Sequence, residues 1–135
     1  MRLATLLFLA ILARASPAAA GEPAVDCNDI RYTHESNVCA ERDFQAADAS
    51  LNEVYKRVLA HIAENGGDKP YDSRTWSEAM KASQRAWVAF RDADCKGVVP
   101  IEWSGGTGTS AAVLGCMTSK TKERIRELED RYAAR

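Results

Sequence analysis

Four cysteines, Cys27, Cys39, Cys95 and Cys116, in a chain of 135 residues constrain the fold more than any other feature. A chain of this length builds one hydrophobic core, so the chemical state of four cysteines decides much of what holds that core. In an oxidising compartment an even set in a small domain reads as two disulfides; in a reducing one it reads as ligands or free thiols. The first twenty residues point to the oxidising case. Met1-Arg2 precede the apolar run Leu3–Ala13, which ends in Arg14, Ser16, Pro17 and the small-residue tract Ala18-Ala19-Ala20. A positive start, a short apolar stretch and an Ala-x-Ala end are the marks of a cleavable signal peptide. As a helix the apolar run would rise only about 16 Å, too short for a bilayer core. Cleavage after Ala20 would release a domain of residues 21–135 into the periplasm or the medium. Asp26 stands before Cys27 where a lipidated cysteine needs a small residue, so neither a lipid anchor nor stable membrane insertion is expected. Two disulfides are.

Past the signal the pattern is helical. Leu51, Tyr55, Val58 and Ile62 recur at spacings of four, three and four, and Phe44, Ala47 and Val54 extend the stripe, so a first helix is expected from Thr33 to about Asn65. Asn65-Gly66-Gly67 ends it, glycine being the residue that takes a left-handed helix-ending conformation most readily. A second helix starts near Asp72 or Ser73, with a capping-box spacing at Thr75-x-x-Glu78 just inside. It carries the stripe Trp76, Met80, Ser83, Trp87 and Phe90 and runs to about Asp94. Residues 96–109 read as a loop with one brief extended piece. A third helix follows from about Ser110 to Ala133, with Leu114, Met117, Thr121, Ile125, Leu128 and Tyr132 on one side. The short connection makes the first two helices an antiparallel hairpin, and the third packs across it to bury its own stripe. The expected fold class is all-α: a helical hairpin plus a C-terminal helix, stapled by two disulfides.

The pairing of the cysteines is less constrained. Cys27–Cys39 with Cys95–Cys116 is favoured: the first pair needs residues 27–32 to fold back beside the helix, and the second closes the long loop. Helix register also brings Cys39 within about a turn of Cys95, which leaves Cys27–Cys116 as the alternative.

Several functions are excluded or left without residues. With Arg2 and Arg14 removed, 16 basic residues face 19 acidic ones, a net charge of −3 that gives no footprint for nucleic acid. Asp92-Ala93-Asp94-Cys95-Lys96-Gly97 opens like a calcium loop, but position five is Lys96 and position twelve is Trp103 where a bidentate Glu is needed. Gly106-x-Gly108-x-x-Ala111 has dinucleotide-fingerprint spacing without the βαβ unit that gives it meaning. No C-x-x-C pair is present. His34 and His61 lie some 40 Å apart on one expected helix and cannot share a site. The residues offer no catalytic constellation, metal site or cofactor site, and a non-catalytic protein is expected.

One constellation stands out. On the second helix Gln84, Trp87 and Arg91 occupy adjacent turns of one face, and hairpin register sets Asn52 and Asp48 roughly opposite. A polar layer joining Asp48 to Arg91 and Asn52 to Gln84, beside Trp87, would fix helix register. The same residues carry a family resemblance. Asp48-Ala49-Ser50-Leu51-Asn52-Glu53-Val54-Tyr55-Lys56 and Gln84-Arg85-Ala86-Trp87-Val88-Ala89-Phe90-Arg91-Asp92-Ala93-Asp94-Cys95 resemble the two signature helices of the LprI-type lysozyme-inhibitor family. Cys39-Ala40, Gly105-Gly106, Cys116, Arg124 and Leu128 are similar to the rest of its pattern. The resemblance implies a small exported helical domain stapled by cysteines and a lysozyme-type cell-wall hydrolase as partner. An inhibitor needs a protruding element to fill an enzyme cleft, and the 96–109 loop is the candidate. Trp103 would be its anchor, and Ser104, Gly105, Gly106 and Thr107 its hydrogen-bonding tip. The alternative is an envelope interaction or stress-response scaffold with a different partner.

Overall fold

The computed structural model describes residues 25–132; the expected signal peptide and its expected cleavage point lie outside them. Within those residues the fold is all-α, with no strand. Helix α1 (Thr33–Asn65) is followed by α2 (Ser73–Ala93), a single π-helical turn (Asp94–Val98), the short α3 (Val99–Glu102) and α4 (Thr109–Tyr132). Both disulfides of the favoured pairing are present, Cys27–Cys39 and Cys95–Cys116, each with Cα atoms 5.6 Å apart. The crossed alternative is thereby excluded.

The helix ends show why the chain breaks where it does. Glu35 reaches back from the first turn of α1 to accept from the backbone N–H of Tyr32 at 2.9 Å and of Arg31 at 2.7 Å, so two free donors gain a partner. At the other end Gly66 is extended (φ −68°, ψ 133°) rather than left-handed as the sequence suggested. Its requirement is steric. A Cβ there would lie 2.3 Å from the backbone nitrogen of Ser73, because the start of α2 packs directly on it. Asp72, not Thr75, caps α2: its carboxylate accepts from the Thr75 N–H at 2.9 Å, and that bond holds the Asp72 carboxyl below the usual range.

The apolar stripe of α1 is buried as its spacing requires. Leu51, Val54, Val58 and Ile62 form a core with Met80 of α2 and Leu128 of α4, and Trp76, Trp87, Ile125 and Tyr132 pack against it. Helix α4 lies along α1 far more than along α2, so the expected packing across the hairpin is lopsided. Where α2 and α4 face each other, long polar side chains span the space between them. The expected stripe of α2 fails at its end for the same reason: Phe90 is 57% exposed while Arg91 is buried. Arg91 turns inward because its hydrogen-bonding partners on α1 and α4 lie there.

Residues 96–109 are not a loop with an extended piece. They begin as the π turn and α3, and only Trp103–Gly108 form an irregular turn. Pro100 near the start of α3 costs that helix nothing, since the first-turn N–H groups have no helical partner in any case.

Candidate functional site

Arg91 is 6% exposed and touches all three long helices. Its Nη1 donates to Asp48 Oδ1 of α1 at 3.3 Å and to Thr121 Oγ1 of α4 at 3.2 Å, while Nε donates to Asp92 at 3.0 Å. The guanidinium lies 5.3 Å from the ring centres of both Phe44 and Trp87, close enough for the ring quadrupoles to favour the charge. Arg124 also lies near Trp87, its guanidinium 5.9 Å from the ring centre. Arg124 is 4% exposed and donates to Gln84 Oε1 at 3.1 Å and Ser83 Oγ at 3.4 Å, with Glu127 at 2.8 Å. Burial acts to raise the Asp92 carboxyl pKa, but hydrogen bonds from Lys96 and Arg91 outweigh it and hold the group below its ordinary value.

This arrangement corrects one expected pair. Gln84 is not bonded to Asn52; it accepts from Arg124, and Asn52 donates instead to Asp48 of its own helix at 3.3 Å. Asn52 is exposed, outside the inward position that hairpin register suggests. The layer also takes in Thr121 and Arg124, which hairpin register alone does not bring to it. Their signal was the spacing Met117, Thr121, Arg124, Leu128, which marks one face of α4 whether or not its members are apolar.

Beyond this layer the chain leaves α2 and forms an exposed turn. Cys95, fully buried, ties the π turn to α4 through Cys116. Beyond it the large apolar side chains are exposed: Val98 46%, Ile101 79% and Trp103 52%. The turn is held by its own backbone. Gly105 N–H donates to the Pro100 carbonyl at 3.1 Å, Gly106 N–H to that of Trp103 at 3.0 Å, and Thr109 N–H to that of Gly106 at 2.9 Å. Ser104 and Gly105 take positive φ, 51° and 65°, in the left-handed region. Trp103 does not cap the helical core. Its ring lies against Gly108, where a Cβ would come within 2.6 Å of the indole, so the half-exposed ring also braces the turn. The expected hydrogen-bonding tip, Ser104, Gly105, Gly106 and Thr107, is exposed throughout.

The other motifs acquire ordinary roles. Asp92 pairs with Arg91 and Lys96, and Asp94 with Lys120 at 2.9 Å, so the calcium-like carboxylates are matched by cations. Asp94, Cys95 and Cys116 bring ligand-type atoms within 4.8 Å of one another, but the two sulfurs are bonded in the disulfide. His34 stacks on Tyr32 at 5.8 Å, and His61 meets Trp76 and Tyr132 edge-on near the opposite end of α1. No helix among the described residues is long and apolar enough to cross a membrane.

Comparison with known proteins adds the family. The model described as "Lysozyme inhibitor LprI" matches residues 26–128, which covers all four cysteines, the arginine layer and the exposed turn. The chain belongs to the LprI family. This LprI-family chain is 34% identical over 133 residues to uncharacterized protein R02472 of Rhizobium meliloti (strain 1021), covering 96% of this chain and 95% of the relative. It is 28% identical over 97 residues to uncharacterized protein YecT of Escherichia coli (strain K12), covering 67% of this chain and 59% of that protein. No solved structure matches.

Proposed function

We propose that the chain is an exported, non-catalytic binding protein that blocks a lysozyme-type cell-wall hydrolase, and that the turn following α2 enters the enzyme's cleft. The observation that carries this reading is the outward apolar crest of Val98, Ile101 and Trp103 on a braced, disulfide-tied turn. Large apolar side chains left in water on a rigid projection gain nothing for folding and supply the buried anchors that dominate protein interfaces. Glu102, exposed between two of them, adds a carboxylate suited to a basic partner. The net charge of −3 expected after export acts in the same direction, mainly by steering encounter. Membership in a family described as lysozyme inhibitors supports the choice of partner.

The test is loss of turbidity of a bacterial cell-wall suspension under lysozyme, with and without the purified oxidised protein. Protection is expected at excess protein. Ile101→Asp and Trp103→Ala should each weaken it by about tenfold or more, the cost of losing an interface anchor, with helical circular dichroism unchanged. No protection at excess protein would overturn the partner, and capture of a different envelope protein would then favour the scaffold role. Protection untouched by either substitution would overturn the site.

A further inference from the structure

The two disulfides differ in exposure and in the charge beside them. Cys95 is fully buried and Cys116 half-buried, and the charged group beside that bridge is the Asp94 carboxylate, itself matched by Lys120. Cys27 is exposed on the hook of chain that precedes α1, while its partner Cys39 is 6% exposed. Arg42, a turn beyond Cys39 on α1, points its Nη1 at Cys27 Sγ, 3.5 Å away, and at the Val25 carbonyl, 2.8 Å away. One bridge therefore joins a fully buried cysteine to a half-buried one beside a neutralised ion pair. The other presents a sulfur to solvent with a guanidinium against it.

We infer that Cys27–Cys39 is a thiol-exchange site, opened by a dithiol reductant under conditions that leave Cys95–Cys116 closed. The chemistry needs two displacements. A thiolate of the reductant attacks Cys27 Sγ, the accessible sulfur; the Cys27–Cys39 bond breaks and Cys39 departs as a thiolate that takes a proton from water. The second thiolate of the reductant then attacks the reductant's own sulfur in the mixed disulfide and expels Cys27. The reductant is oxidised to its disulfide, and the protein gains two thiols. Arg42 acts in both steps, drawing the anionic attacker to Cys27 and then stabilising the departing Cys27 thiolate. Opening frees the hook Val25–Tyr32 from α1. It leaves intact the core around Leu51, Val58, Ile62 and Leu128, which lies farther down the helices.

The experiment exposes the oxidised protein to dithiothreitol at fixed pH, quenches samples with iodoacetamide and maps the labelled peptides by mass. Cys27 and Cys39 should be labelled together, about tenfold or more faster than Cys95 and Cys116, with helical circular dichroism preserved. Arg42→Gln keeps a donor for the Val25 carbonyl but removes the charge, and should slow opening by about three- to tenfold. Arg42→Lys should restore most of the rate, and the difference between Arg42 and Gln should shrink in 1 M salt, where the screening length falls to about 3 Å. Simultaneous opening of both bridges, or earlier opening of Cys95–Cys116, would overturn the inference. So would an Arg42→Gln variant that opens as fast as the parent or faster, since Arg42 would then serve only to clamp the hook.

Discussion

The two ends of the helical bundle are built from different materials. Near the hairpin the core is aliphatic: Leu51, Val54, Val58, Ile62, Met80 and Leu128 close on one another, and Ile62 and Leu128 are wholly buried. Toward the turn after α2, the polar Arg91, Thr118, Thr121 and Arg124 are buried beside the smaller apolar group of Ala47, Cys95 and Met117, and both arginines lie near Trp87. Aliphatic packing is strong but nondirectional, and it tolerates small slides of one helix along another. A guanidinium that must meet Asp48, Thr121 and Asp92 at once accepts one alignment. The difference suggests a division of labour, in which the aliphatic end supplies most of the stability and the arginine end fixes how α2 delivers the turn.

The largest effect should come from the aliphatic end. Leu128→Ala empties a fully enclosed position and should cost about 2–5 kcal/mol, read from the urea midpoint. The arginine end should respond to chemistry rather than volume. Arg91→Ala removes both the charge and the stem that packs on Trp87, and should cost about 2–3 kcal/mol. That is below the range for a fully buried pair, because Asp48 and Asp92 remain partly wet when abandoned. Arg91→Met keeps the stem and should lie within about 1 kcal/mol of the parent, as replacements of buried ionic groups by apolar ones of similar volume often do. A methionine variant as damaged as the alanine one would break the contrast, since the ionic contacts would then be carrying stability and not only alignment.

These contrasts also explain how much of the molecule was legible in its sequence. The α1 stripe, the hairpin and the approximate limits of all three long helices follow from apolar spacing and loop lengths, which act locally, whereas the disulfide pairing is only favoured by them and is decided by the structure. The partners of the polar layer do not. Asp48 and Arg91 could be set opposite each other from hairpin register alone, but α4 enters through tertiary packing, and hairpin register says nothing of its rotation. Gln84 was accordingly matched to Asn52 when its partner is Arg124. Phe90 and Arg91 are neighbours competing for one inward direction. Hydrophobicity favours the phenylalanine, and only the carboxylate and hydroxyl waiting on α1 and α4 reverse the choice. The helical start of the 96–109 stretch was hidden because Gly97 and Pro100 read as breakers, although proline is harmless in a first turn.

Acid should sharpen the comparison by weakening the arginine end first. The Asp92 carboxyl is held below its ordinary value by Lys96 and Arg91. Its contribution to stability is therefore complete above the unfolded carboxylate pKa of about 3.9, and is lost as pH falls through the lower folded value. Urea midpoints measured from pH 6 down to pH 2.5 should fall less steeply for Asp92→Asn than for the parent. Equal slopes would show that the pair with Arg91 is not linked to folding.

The smallest effect belongs to the turn itself, and its sign is the informative part. Ser104 sits at φ 51°, a region that a side chain enters only at some cost and glycine enters freely. Ser104→Gly removes that strain but gives the unfolded chain more freedom, so the two contributions partly cancel. A net gain of a few tenths to about 1 kcal/mol is expected if the turn keeps its present shape. Gly105→Ala, at φ 65° with open space around its Cβ, is the mirror test and should lose about 1 kcal/mol from backbone strain alone. Opposite signs at adjacent positions would mean that the turn is held in one conformation by the Cys95–Cys116 tie, its backbone bonds and the brace of Trp103 on Gly108. If both substitutions were neutral, the turn would be relaxing freely. The alignment imposed by Arg91 would then end at α2 and have no rigid projection to deliver.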